Sequence, residues 1–305
     1  MAGRAEAANN TRPGSSLTAA FARAVELGAN AVEADVCVTK DGHFVVWHDA
    51  DPGGTAALAR QSSREELAYV PDVPTLGSRW RRPVAELTLA EFRAHFGYCR
   101  RKGDLPATDA PPEVPANTLE ELCEWADRDE RLEHVFPDVN LVPSQVDRAL
   151  ELLDFARDRV SGAGARKTLS YHYLSPQREV LEALGESCSA RPLSRRLDVH
   201  ADFEFPGVLR VARKLGFRHV SMGVGRRSWK DFRNEAARAA RSRAAGRVDS
   251  VVVWTINEPE RLEELVRLGV DGILTDDPET LARSWRGRRR RRPLRPSWNP
   301  VLAGC

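Results

Sequence analysis

Short β-prone runs and amphipathic helical runs alternate along most of this chain, and that alternation constrains the fold more than any other property. Parallel strands need a long crossover between them, and a helix is the usual one. The pattern predicts helix 16–27, strand 31–38, helix 118–128 and a strand candidate from His134 to Leu141. Helix 145–159, strand 168–173, helix 176–184 and a poor strand around 188–191 follow. Then come helix 206–215, strand 219–224, a long Ala/Arg helix over about 229–245 and strand 250–255. PERLEELVRLG, strand 272–275 and helix 278–285 finish the body. Thr118 and Glu121 are spaced as a capping box, and Pro259 and Gly269 bracket the penultimate helix. Pro137 argues against a regular central strand at 134–141. Seven strands result, whereas a closed (β/α) barrel needs eight.

The stretch Asn30 to Asp49, NAVEADVCVTKDGHFVVWHD, carries the densest chemistry. Glu33 and Asp35 sit two apart in a run of β-formers, so both carboxylates leave the same side of the strand. Two like charges side by side repel unless a cation, a proton or water relieves them. Lys40-Asp41-Gly42 reads as a turn, and His43 to Trp47 returns as a short strand ending in His48-Asp49. Hard oxygen ligands beside a histidine suit Mg²⁺ or Ca²⁺ with acid–base help. Ser15 or Ser16 can cap the preceding helix, and Gly28 closes it.

Composition narrows the classes. Of the 305 residues, 42% are hydrophobic, enough for a sizeable core. No run of about 18 apolar residues occurs, so no transmembrane helix is expected. The opening MAGRAEAANN lacks the apolar stretch of a Sec signal. Cys37, Cys99, Cys123, Cys188 and Cys305 are scattered without a CxxC, which fits reduced thiols and a cytoplasmic setting. The net charge of +2 conceals seven arginines between Arg286 and Arg295, which leave the remaining body mildly acidic. Residues 286–305 are expected as a basic disordered tail that gives weak contact with anionic membranes. Without interleaved aromatics or a helix-turn-helix, nucleic acid is a poor fit. Residues 50–116 are rich in Pro, Gly and Arg, and only Leu87 to His95 reads clearly as a helix. The segment is too long for an ordinary loop and is read as an insertion packed over one end of the barrel.

SLTAAFARAVELGANAVEADVCVTKDGHFVVWHD closely resembles the glycerophosphodiester phosphodiesterase family, and WTINEPERLEELVRLGVDGILTDDP resembles its C-terminal signature. PVAELTLAEF and VPANTLEEL resemble its landmarks between them. The resemblance implies a TIM-type (β/α)8 barrel, one divalent cation, and hydrolysis of a glycerophosphodiester to glycerol 3-phosphate and an alcohol. Its first strand is missing or degenerate here, and the barrel is expected to span residues 1–285. By resemblance, Glu33, Asp35 and Asp138 match the family's metal-binding acids, and His48 matches its second catalytic histidine. The family's first strand ends in His-Arg-Gly. Gly3-Arg4-Ala5 is the nearest equivalent here, which leaves Arg4 as a substrate-binding candidate. Asn140 stands where the family usually has a phosphate-facing lysine. Trp254 matches an aromatic that packs the glycerol moiety, although a core tryptophan is an equal reading. His172 is read as a core or rim histidine.

Two further readings stay open. The lost histidine, lost lysine and absent strand suit a weakened or inactive member that binds phosphodiesters. LGANAVEADV also resembles phospholipase D-like relatives acting on lysophospholipids.

Overall fold

The computed structural model describes residues 17–61, 69–100, 112, 114–139, 141, 145–162, 165–204, 207–289 and 301–303. In chain order the barrel strands are β1 (Ala31–Val38), its hairpin partner β2 (Phe44–Val46), β6 (His134–Val139), β7 (Ser170–Ser175) and β8 (Leu197–Phe203). β9 (His219–Gly223), β10 (Ser250–Trp254), β11 (Gly272–Thr275) and β12 (Val301–Ala303) complete them. Three others, β3 (Tyr69–Asp72), β4 (Gly97–Arg100) and β5 (Val114–Pro115), form a separate small antiparallel sheet. The helices are α1 (Leu17–Glu26), α2 (Thr55–Gln61), α3 (Leu89–His95), α4 (Leu119–Arg128) and α5 (Val146–Ser161). They continue with α6 (Arg178–Ala190), α7 (Val208–Leu215), α8 (Trp229–Ala244), α9 (Pro259–Leu268) and α10 (Pro278–Arg289).

The large sheet runs β12-β11-β10-β9-β8-β7-β6-β1-β2. All its pairings are parallel except β1 with β2. β12 pairs with β11 on one side and with β1 on the other, which joins the ends of the sheet and closes a ring of eight parallel strands. The architecture is therefore the expected TIM-type barrel. The slot beside β1, where a strand was missing, is filled by a segment placed in the disordered tail from sequence. That expectation is corrected on two counts: α10 continues to Arg289, and Val301–Ala303 pair as a strand. The cause is the pair of open ladder edges on β1 and β11, whose backbone groups need partners.

A second correction concerns β8. Cys188 to Arg191, read as a poor strand, falls at the end of α6, while the strand lies at Leu197–Phe203. Pro137 does sit inside β6. The β6–β7 ladder pairs His134 and Val135, skips Phe136 and Pro137, and resumes at Asp138, as a residue without an N–H requires.

Helix boundaries follow from capping. Thr118 and Glu121 form both bonds of a capping box before α4. Pro259 opens α9, and Gly269 closes it at φ 88, a left-handed value suited to glycine. The outward residues of the strands, such as Val32, Val135, Tyr173, Val199, Val220, Val251 and Ile273, bury against the helices. Inside the ring, Ala31, Phe136, Leu174, Val252 and Leu274 form an apolar layer with Trp254 packed on it. Residues after His48 build their own cluster, in which Val84, Leu87, Phe92 and Phe96 pack on Cys37, Val45 and Trp47 of the β1–β2 hairpin. Trp47 meets Phe92 and Phe96 edge-on at 5.7 and 5.9 Å between ring centroids. The inserted segment is thereby anchored one residue away from His48.

Candidate active site

The carboxylates gather because of period two and register. Glu33 and Asp35 share the inner face of β1, and Asp35 lies directly opposite Asp138 of β6. Ligand oxygens of Glu33, Asp35 and Asp138 all lie within 4.8 Å of one another. Glu33 and Asp35 are buried, and Asp138 is half-buried. Burial pushes the Asp138 carboxyl well above its usual range, and the negative charges of Asp202 and Asp35 push it further. A cluster of this kind is unfavourable when ionised alone, and a divalent cation would reverse the sign of that interaction. The oxygen-only donor set fits Mg²⁺ or Ca²⁺.

His48 follows β2 at the same mouth. Its Nδ1 lies 2.8 Å from Oδ1 of the buried Asp49, and its Nε2 lies 3.9 Å from Oδ1 of Asp35. With Nδ1–H donating to this Asp49 oxygen, Nε2 is the nitrogen turned to the acids. The Cys37 thiol behind them is buried, donates to the Trp47 carbonyl and is pushed well up by burial and by Asp35.

Trp254 ends β10 at this mouth, half-buried, and its Nε1 donates to Oδ1 of Asp202 at 2.6 Å. Asp202, on β8, is a residue that sequence reasoning missed. Burial pushes it up to about 6, while hydrogen bonds from Ser221 and Trp254 pull it down. The alternation in LDVHADF would have found it: Val199, Ala201 and Phe203 face the helices, and Asp198, His200 and Asp202 face inward. His172 is fully buried toward the opposite end of the barrel. Arg4 and Asn140 lie outside the described residues.

The model of the glycerophosphoryl diester phosphodiesterase family matches residues 7–280. The chain belongs to this family. A 31-residue stretch is 68% identical to a glycerophosphodiester phosphodiesterase of Caldanaerobacter subterraneus subsp. tengcongensis, and it covers 10% of this chain and 13% of that relative. A glycerophosphodiester phosphodiesterase structure from Parabacteroides distasonis matches at 18% identity and TM-score 0.61, over 93% of this chain and 95% of that one. An Oleispira antarctica phosphodiesterase, solved with the product sn-glycerol-3-phosphate, matches at 15% identity and TM-score 0.57, over 88% and 89%. A Thermotoga maritima glycerophosphodiester phosphodiesterase matches at 19% identity and TM-score 0.55, over 87% and 90%. At these identities the structural likeness is one of fold. In this glycerophosphoryl diester phosphodiesterase family member, the acids and His48 stand at the C-terminal ends of the barrel strands, the face that carries chemistry in such barrels. No helix among the described residues is long and apolar enough to cross a membrane.

Proposed function

We propose that this chain hydrolyses glycerophosphodiesters to glycerol 3-phosphate and an alcohol, using one divalent cation held by Glu33, Asp35 and Asp138. The observation that carries the reading is the convergence of three carboxylates within 4.8 Å beside His48. A bound Mg²⁺ or Ca²⁺ would supply positive charge to the phosphoryl oxygens as charge develops there. His48 Nε2 takes a proton from the attacking hydroxyl, or returns one to the departing alcohol oxygen as its bond to phosphorus breaks. Asp49 keeps the imidazole oriented and favours its protonated form during that transfer. Trp254 offers an apolar wall for the glycerol carbons, with its indole fixed by Asp202. The segment after His48, anchored through Trp47, shapes the leaving-group side of the pocket.

A second reading, a slow enzyme, is favoured by one observation. The strand beside β1 is Val301–Ala303, a Val-Leu-Ala run without an acid–base residue type. With His48 as the one histidine at the mouth among the described residues, the lack of a second general acid–base would cost about 10²–10⁴ in rate.

The test is release of glycerol 3-phosphate from a panel of head-group diesters, with Mg²⁺, with Ca²⁺ and with chelator. Metal-dependent release supports the first reading, and release slowed by two to four decades relative to an active relative supports the second. Tight diester binding with no release under any condition would defeat the hydrolytic proposal.

A further inference from the structure

The other end of the barrel interior holds a polar cluster unrelated to the carboxylate mouth. TIM-type barrels fill this space with branched apolar side chains. Here four of the chain's seven histidines meet there: His134 on β6, His172 on β7, His200 on β8 and His219 on β9. Three of them gather around the carboxylate of Asp198. Its Oδ1 lies 2.8 Å from His172 Nδ1 and 2.9 Å from His200 Nε2, and its Oδ2 lies 3.5 Å from His219 Nδ1. Phe136 stacks on His172 at 4.4 Å and meets His200 edge-on at 5.8 Å, which walls the cluster off from the mouth.

We propose that His172, Asp198 and His200 form a second metal site, specific for a borderline dication of the Zn²⁺ type, with His219 at its rim. The donor chemistry differs from that of the mouth. Two imidazole nitrogens and one carboxylate oxygen, with the fourth position left to water, suit Zn²⁺, whereas Mg²⁺ and Ca²⁺ require an oxygen shell. The spacing is close to that required. Ligand atoms of His172, Asp198 and His200 lie within 4.8 Å of one another. A tetrahedral ion with bonds near 2.0–2.1 Å needs neighbouring ligands about 3.3 Å apart, so the 2.8 and 2.9 Å contacts open by about 0.5 Å.

An outer partner and a way in are present. His134 Nδ1 lies 2.9 Å from His172 Nε2, the ring nitrogen that points away from Asp198. Metal-bound histidines commonly hold their second nitrogen in such a contact. His172 and His200 are sealed at 2% and 0% exposure, whereas the side chains of His219 and Asp198 keep 25% and 19%. An ion would enter past His219, which Ser250 Oγ holds at 2.8 Å from Nδ1.

The test uses the full chain carrying Glu33→Gln, so that binding at the mouth is weakened. After chelator treatment it is titrated with Zn²⁺ by calorimetry and with Co²⁺ by visible absorption. We expect one ion per chain, the d–d band of tetrahedral Co²⁺, and no heat from Mg²⁺ at this site. Asp198→Asn and His200→Gln should abolish the band, and His134→Phe should lower affinity about 10–100-fold, the usual effect of losing an outer partner. Should Asp198→Asn fail to fold, His172→Gln and His200→Gln variants with the parent circular dichroism spectrum decide the matter. A Glu33→Gln protein that binds neither Zn²⁺ nor Co²⁺, or binds them equally well after His200→Gln, means that protons alone hold the cluster and overturns the site.

Discussion

Replacing Gly223 by alanine tests how Trp254 is held at the mouth. Gly223 closes β9 directly beneath the indole. A Cβ built there would lie 2.7 Å from Cη2 and Cζ3 of Trp254 and 2.9 Å from Cε3. Carbon atoms pack at about 3.5–4.0 Å, so the ring must retreat by about 1 Å or the strand must bend. If the ring moves, its 2.6 Å bond to Asp202 is lost. A hydrogen bond to a charged acceptor contributes about 1.5–3 kcal/mol. If the strand yields instead, overpacking costs about 1–3 kcal/mol. Either way Gly223→Ala should cost about 2 kcal/mol, a fall in Tm of about 3 °C. Asp202 also loses a donor that lowers its pKa, so it should titrate above its present value of about 6.

Urea unfolding of Gly223→Ala, Trp254→Phe and the double variant separates the routes. Phenylalanine lacks the outer ring that meets the new methyl, so alanine should be nearly harmless in that background. The coupling between the two sites should reach about 1–2 kcal/mol, within the range for residues in contact. If Trp254 walls the glycerol site, KM should rise in Gly223→Ala more than kcat falls. An equal alanine cost in both backgrounds, or none in either, refutes the packing argument.

Three other outcomes follow from the same geometry. Glu33→Gln should remove Mg²⁺ and Ca²⁺ binding measured by calorimetry while the circular dichroism spectrum holds, and unchanged affinity would dismiss the three-acid site. His48→Ala should lower turnover by about 10²–10⁴ with the Tm within about 2 °C of the parent; a fully active variant sinks its proton-transfer role. Asp271 is pushed up to about 6 by burial, despite Arg243 at 2.9 Å. The folded chain therefore holds this proton more tightly than the unfolded chain, and stability falls as pH rises from about 4 through 6. The loss reaches about 3 kcal/mol and should vanish in Asp271→Asn. A pH-independent difference between the two proteins contradicts the burial argument.

The reach of the sequence differed from element to element for physical reasons. Glu33, Asp35, the turn at Lys40–Gly42 and the returning strand were readable because period two and a glycine turn are local signals. The shift of β8 from 188–191 to Leu197–Phe203 has the opposite cause. Asp198, His200 and Asp202 interrupt any apolar run, and their burial is explained only by residues on β6, β7, β9 and β10. Pro137 gave a correct local warning, since its ladder to β7 breaks, but six-residue register with β1 overrides the break. Val301–Ala303 carried no signal, because three apolar residues beyond an arginine run acquire a strand's identity only from two waiting edges.

Closure by β12 has a consequence for the order of folding. The seam pairs Ala31 with Leu302, whereas β1 meets β6 by pairing Ala31 with His134. Loop-closure entropy grows only logarithmically, so the seam costs about 1 kcal/mol more than the β1–β6 contact. Its difficulty lies in time. Seven strands and their helices can assemble on a growing chain, but the ring stays an open sheet until residues near Leu302 have been made. The seam is therefore the last joint to set and, with only three residues, the first to part. Amide exchange on the β1 and β11 faces of that joint should run faster than on β6 through β9, and the barrel should open there like a clasp before it melts as a whole.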